Sequence, residues 1–349
     1  MNVWWMLLAA FAGSWLLTLL LRRYALAKSL MDIPNQRSSH SIPTPRGGGV
    51  AIVVVFLLAL PVLGSLNLLG PSAMYGMLGS GLLVALIGFA DDHGHIAARW
   101  RLLGHFTAAG WALFWLNGLP ALQFFGVVID LGWFGYILGL VFLVWMLNLY
   151  NFMDGIDGLA SAEAICVCLG GCVISGLSGH FELMWTALVL TAGAGGFLCW
   201  NFPPARIFMG DAGSGFLGFT LGVLVLQAGW IDPAMFWSGL ILLGVFIVDA
   251  TWTLLRRLAR GDKVYQAHRS HAYQFAARHF NSHKIVTLAV IGINIFWLFP
   301  ISALVGIGSL DGLYGLLIAY IPIGLLAIKY CAGIPEPVRE NISSSGEGE

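Results

Sequence analysis

The chain has 349 residues, of which 58% are hydrophobic and only 10% charged, with 17 Lys and Arg against 17 Asp and Glu. Its mean hydropathy of +0.84 is too high for a water-soluble domain of this length, so the composition is that of an integral membrane protein. The balanced charge excludes a nucleic-acid partner, and five cysteines without metal-ligand or secretory spacing exclude a disulfide framework.

In chain order, runs long enough to cross a hydrocarbon core of ~30 Å occur at about residues 3–21, 47–66, 73–90, 102–118, 134–150, 158–177, 183–200, 212–229, 234–255, 285–305 and 311–330. They predict an all-α polytopic membrane protein with about eleven transmembrane helices. One membrane domain spans 1–330, and the Pro-, Ser-, Gly- and Glu-rich segment 331–349 reads as a disordered cytoplasmic tail. The first run is followed, not preceded, by Arg22 and Arg23, so it is expected to be a retained helix and not a cleaved leader. The forty-five glycines suit helices that approach closely in lipid, and a homodimer is among the arrangements the sequence allows.

Every Lys and Arg falls in alternate gaps between these runs: Arg22 to Arg46, Arg99 and Arg101, Arg206, Arg256 to Lys284, then Lys329 and Arg339. The gap around residues 150–157 belongs to the same set but has no basic residue, while the other gaps carry acids such as Asp130, Glu182, Asp232 and Asp311. By the positive-inside rule the N-terminus lies outside and the C-terminus in the cytoplasm.

The polar clusters fall in the gaps of the basic set. Asp91-Asp92 closes the third run, and adjacent carboxylates at a membrane boundary require a cation or protons nearby. Asn151-Phe152-Met153-Asp154-Gly155-Ile156-Asp157-Gly158 follows the fifth, and Asp154 and Asp157 would share a face if helical. Asn201 to Gly215 contains Phe208 and Asp211, the latter at a helix start where it is either an N-cap or one wall of an anion site. The loop 256–284 holds His268-Arg269-Ser270-His271. No Cys or Glu completes a zinc set there, so phosphate contact is the favoured reading. Acids, amides, imidazoles and guanidinium groups on one face imply an oxygen-ligated divalent cation, Mg²⁺ or Mn²⁺, with a phosphorylated ligand.

These residues resemble the polyprenyl-phosphate N-acetylhexosamine-1-phosphate transferase family, related to the phospho-N-acetylmuramoyl-pentapeptide transferases. The resemblance runs from about residue 30 to 285 and rests on five ordered elements. They are Asp32-x-Pro34-x-x-Arg37-x-x-His40 continuing to Pro43-Thr44-Pro45-Arg46, the Asp91-Asp92 pair with Arg101-Leu102-Leu103, Asn151-x-x-Asp154-Gly155-x-Asp157-Gly158, Phe208-x-Gly210-Asp211-x-Gly213-Ser214, and Asp249 leading to the His268 loop. The resemblance implies transfer of a sugar-1-phosphate from UDP-N-acetylhexosamine to a polyisoprenyl phosphate such as undecaprenyl phosphate, with release of UMP, at a bacterial inner membrane.

It further implies that Asp211, with Asp92 second, ligates Mg²⁺ and that Asp91 activates or positions the lipid phosphate. Asn151 and Asp154 would contact the nucleotide, Phe208 would stack on uracil, Asn201 would serve as a pocket amide, His268 and His271 would hold the diphosphate, and Asp157 and Arg269 would also bind substrate. His40 and Arg46, in the Pro43-Thr44-Pro45-Arg46 segment, place the chain nearer the N-acetylhexosamine branch than the muramoyl one. The His-Arg-Ser-His form of the loop resembles members that start bacterial O-antigen chains. An ion-coupled transporter is the alternative, since intramembrane carboxylates also mark ion pathways.

Overall fold

A computed structural model describes residues 3–34, 42–94, 96–263 and 268–335. His40, Arg37 and the segment from residue 336 onward lie outside the described residues. Long apolar stretches with little internal charge have no way to satisfy their backbone in lipid except as helices, and helices make up most of the structure. They are α1 (Trp5–Ala27), α2 (Val50–Ser65), α3 (Pro71–His93), α4 (Ala98–Leu116), α5 (Gly132–Met153), α6 (Leu159–Leu177), α7 (Met184–Asn201) and α8 (Asp211–Ile231). After them come α9 (Pro233–Leu242), α10 (Gly244–Ala259), α11 (Ala272–His279), α12 (His283–Ile293), α13 (Phe299–Gly306) and α14 (Gly312–Lys329).

Two short antiparallel ladders complete the described residues: Met31–Asp32 with Thr44–Pro45, and a hairpin of Leu122–Phe124 with Val127–Ile129. The five cysteines are free.

Each of the eleven expected runs is helical, but the count of eleven spans is not established. Eight helices are long and apolar enough to cross a membrane, or nine if α9 and α10, bent by 71° at their junction, form one span. The two runs that fall short do so for physical reasons. Helix α2 has only 16 residues, and α4 begins with Arg99 and Arg101 in its first turn.

Helix α8 is the central post, packed against α3, α5 and α9, and nearly its whole length from Ala212 to Leu226 is buried. Glycine makes that possible at two contacts. A Cβ on Gly88 of α3 would lie 2.6 Å from Ala212 Cα, and one on Gly213 would lie 2.6 Å from Gly49 Cα. The first turn of α8 is thereby pressed against α2 and α3, where no side chain keeps the backbones apart.

Candidate active site

All the gaps of the basic set meet at one end of the bundle. Gly48 and Gly49 donate to the carbonyls of Phe208 and Met209, and Phe208 donates back to Pro45. Arg46 donates to the Asp92 carbonyl, Ala205 N–H to Asp157 Oδ2 at 3.0 Å, Tyr273 hydroxyl to the Phe152 carbonyl at 2.9 Å, and Arg22 Nε to the Arg206 carbonyl.

The start of α8 organises the centre. Gly210 has φ +78° and offers no side chain as a cap, so the first amides of α8 need an outside acceptor. Asp92, 7% exposed, supplies it: Oδ1 accepts from Asp211 N–H and Oδ2 from Ala212 N–H, both at 3.1 Å. The N-cap role considered for Asp211 thus belongs to Asp92, reaching across from α3, and Asp211 is the first residue of the helix itself.

Asp91, one residue earlier and so turned about 100° around α3, faces elsewhere. It pairs with Arg101 and accepts the N–H of Ile96 at 3.0 Å. Arg101 Nη1 also lies 3.8 Å from Asp211 Oδ2, so one guanidinium stands between two carboxylates.

Asn151, in the last turn of α5, accepts from the Ser214 hydroxyl at 2.7 Å, which ties α5 to α8. Asp154 and Asp157 do not share a helical face as the spacing suggested. Helix α5 stops at Met153 and α6 begins only at Leu159, after Gly158 with φ +75°. The turn sends the two acids to different neighbours. Burial pushes the Asp154 carboxyl well above the ordinary carboxylate range, and Asp211, Asp92 and Asp157 push it further in the same direction. Asp157 instead lies 3.2 Å from His283 Nδ1 and holds the Ala205 loop.

Asn201, 3% exposed, spends both ends of its amide on backbone: Oδ1 accepts from Gly158 and Nδ2 donates to Ile207, each at 3.0 Å. It brackets the 158 turn to the 207 loop.

At the far side of Phe152 the histidines stack, with His268 and His271 ring centroids 4.9 Å apart and His271 6.3 Å from Phe152. Burial pushes His268 down to about 3, with help from His271 and Arg257, so it is neutral near pH 7, its Nδ1 2.9 Å from the Ser270 hydroxyl. Neither imidazole is arranged for a shared metal. The Arg269 carbonyl accepts from Arg278.

Two openings adjoin this centre. A cavity of about 210 Å³ is lined by Asp91, Arg101, His105, Asn148, Asn151 and Asp211, with Val84, Ile87, Leu102 and Leu147 as apolar walls. A chamber of about 590 Å³ is lined by Thr44, Asp157, Phe208, Arg278, His283 and Lys284. The same two segments wall both, since Asn151 and Asp157 flank one turn and Phe208 and Asp211 another.

Sequence reasoning singled out most of these residues but assigned no role to His105 or Asn148. His105 lies one helical turn past Arg101, and that spacing from a motif residue was the available signal.

The donors around Asp211 are oxygens, suited to a hard divalent cation. Among the described residues no group of three or more His, Cys, Asp or Glu side chains is placed to hold a metal.

Residues 74–229 match the family model described as glycosyl transferase family 4. The family-level resemblance is borne out. The matched stretch holds Asp91, Asp92, Asn151, Asp154, Asn201, Phe208 and Asp211, and ends before the histidine loop.

Among curated relatives, the chain is 29% identical over 298 residues, 83% of this chain and 81% of the relative, to a probable undecaprenyl-phosphate N-acetylglucosaminyl 1-phosphate transferase of Bacillus subtilis. It is 29% identical over 314 residues, 80% of this chain and 75% of the relative, to a decaprenyl-phosphate N-acetylglucosaminephosphotransferase of Mycolicibacterium smegmatis. It is 36% identical over 201 residues, 53% of this chain and 61% of the relative, to a phospho-N-acetylmuramoyl-pentapeptide-transferase of Moorella thermoacetica. The transporter alternative finds no support: these relatives are transferases, and Asp91, Asp92 and Asp211 sit in terminal turns of their helices and not at their middles.

Proposed function

We propose that the protein transfers an N-acetylhexosamine-1-phosphate from a UDP-sugar to a polyisoprenyl phosphate such as undecaprenyl phosphate, releasing UMP, on the cytoplasmic side of a bacterial inner membrane. The product would start a surface glycan such as O-antigen. The observation that carries this reading is the pair of openings built on the same two segments: a cavity with Arg101 among apolar side chains, and a larger chamber with Phe208 and the basic residues Arg278, His283 and Lys284. A lipid phosphate fits the first, because its head needs a cation and amides while its first isoprene units need Val84, Ile87, Leu102 and Leu147. A nucleotide sugar fits the second, its base against Phe208 and its phosphates toward Asp211.

Asp211 would hold Mg²⁺ or Mn²⁺, with Asp92 fixing the turn that carries it. The ion when bound supplies neutralisation of diphosphate charge. Arg101 orients the acceptor phosphate, and Asp91 holds Arg101 in place. A phosphomonoester with a second pKa near ~6 is mostly dianionic at neutral pH, so it attacks without a strong base. Asp91, already committed to Arg101 and Ile96 N–H, is better suited to positioning than to forming a covalent intermediate. Asp157 lines the donor chamber, Asn151 and Asp154 stand on the turn between it and the acceptor cavity, and His268, Arg269 and His271 would meet the diphosphate.

Purified protein with Mg²⁺, undecaprenyl phosphate and a panel of labelled UDP-N-acetylhexosamines tests the reading. The expected result is a labelled lipid with equimolar UMP, and no UDP-sugar/UMP exchange in the absence of acceptor. Absence of lipid product with every sugar would overturn the assignment, and acceptor-free exchange would replace direct attack by a covalent route.

A further inference from the structure

We infer that Asp249 is the positioning residue that sets His271 for its work on the substrate phosphates. This inference rests on the proposed function for its ligand and on the geometry alone for the pair. Asp249 sits inside α10, 4% exposed, and takes hydrogen bonds from 22 to 24 residues further on. Its Oδ1 accepts the Ala272 N–H at 3.0 Å and its Oδ2 the Tyr273 N–H at 3.0 Å, so it caps α11. Thr253 Oγ1 donates to Oδ1 at 3.2 Å.

His271 Nδ1 lies 3.3 Å from that same Oδ1. A carboxylate only accepts, so a hydrogen bond to Oδ1 requires the proton of a neutral imidazole on Nδ1 and leaves the lone pair on Nε2; the opposite tautomer would turn Nδ1 to the Gln274 N–H in the capping box at the start of α11. His271 is 2% exposed, and its Nε2 is buried with no hydrogen-bond partner in the structure. An orphaned buried nitrogen is costly, and here the cost is maintained by four hydrogen bonds to one carboxylate and by stacking on His268, Phe152 and Tyr273.

Phe152 in turn lines the cavity that holds Asp91, Arg101 and Asp211. The ring is therefore fixed with one nitrogen tied behind it and the other kept for a ligand. When Nε2 binds a proton shared with a phosphate oxygen, the Asp249 carboxylate on the opposite side of the ring balances the charge. The arrangement is the same as that by which carboxylates fix histidine orientation at metal centres and in hydrolase triads.

Asp249→Asn removes the carboxylate charge that faces His271; with its amide oxygen in the Oδ1 place it still accepts from Ala272, while its NH2 meets the Tyr273 N–H, so half of the cap is lost with the charge. In full-length detergent-solubilised protein the expected result is a thermal midpoint lowered by the one lost cap bond, unchanged UMP binding, and turnover lower by about 10- to 100-fold. Parallel loss of thermal midpoint, UMP binding and turnover would mean a cap only, and parent-like turnover would overturn the inference outright.

¹⁵N-histidine NMR, with the His271 signal identified by its loss in His271→Gln, reads the pair without any assay. The parent should be protonated on Nδ1, and Asp249→Ala, which removes the acceptor altogether, should move toward the Nε2-protonated form. If the parent transfers no sugar phosphate, the proposed function fails on its own, and the NMR result still decides the pair: Nε2 protonation in the parent contradicts it.

Discussion

At the end that carries the hairpin, Asp232 accepts the N–H of Ala234 at 2.8 Å, Asp311 that of Leu313 at 3.0 Å and Asp130 that of Gly132 at 2.9 Å, each two residues on. At the other end Asp92 accepts the amides of Asp211 and Ala212, 119 and 120 residues along the chain, and Asp157 that of Ala205, 48 residues along. Asp311 also reaches Phe125 N–H, but its position is still explained by the helix it starts. The first group finishes local helix ends. The second joins loops, and beside it Asp154 and Asp211 stand close together with no helix end that requires their carboxylates. Crowding of like charge with no structural return is what a site for a cation and phosphates looks like before they bind.

The contrast can be broken most severely at Asp211. Asp211→Asn should lower turnover on the order of 100- to 1000-fold, whereas Asp311→Asn should leave turnover unchanged within about twofold, as Asn is an equally good cap; equal losses would erase the distinction between the ends. Next in size is Gly88→Ala, whose methyl group would meet Ala212 Cα at 2.6 Å and push α3 from α8. Turnover should drop by about tenfold or more together with the thermal midpoint, while Gly171→Ala, with open space around it, should change neither.

A smaller effect is expected from pH. The Asp154 carboxyl is raised in the folded protein by burial and by its acidic neighbours, so the folded state holds its proton more tightly than the unfolded one. Stability of the ligand-free protein should be highest below the ordinary carboxylate pKa and should fall as pH rises through the raised value. Asp154→Asn should flatten the corresponding part of the curve of thermal midpoint against pH, and an unchanged curve would remove the crowding argument. The smallest change is Asp311→Ala, costing about 1 kcal/mol in stability without change in turnover, read by denaturation in detergent.

Much of this was legible in the residues. Apolar runs located every helix but α11, which lies inside the loop 256–284, and the motifs around Asp91, Asn151, Phe208 and Asp211 marked the candidate site, because charge at membrane boundaries has few bland explanations. Three things were hidden. Hydropathy has no direction, so the run 234–255 did not reveal the 71° bend at Leu243. Adjacency in sequence did not say which of Asp91 and Asp92 turns toward α8, since that depends on how α3 is rotated against it. The glycines of the 155–158 turn were read as allowing close ligand approach, and their effect in separating Asp154 from Asp157 emerged only with the backbone. Asp249 stood in a recognised element without a role because its partners lie across a long loop.

Sidedness is where the account is most directly exposed. In a variant without native cysteines, Val127→Cys on the hairpin and Ala205→Cys beside Asp157 place one thiol at each end of the bundle. With a membrane-impermeant maleimide on intact cells, Val127→Cys should label and Ala205→Cys should label only after permeabilisation. Labelling of Ala205→Cys from outside would put the acidic centre on the wrong side for a cytoplasmic nucleotide sugar and contradict the proposed transfer.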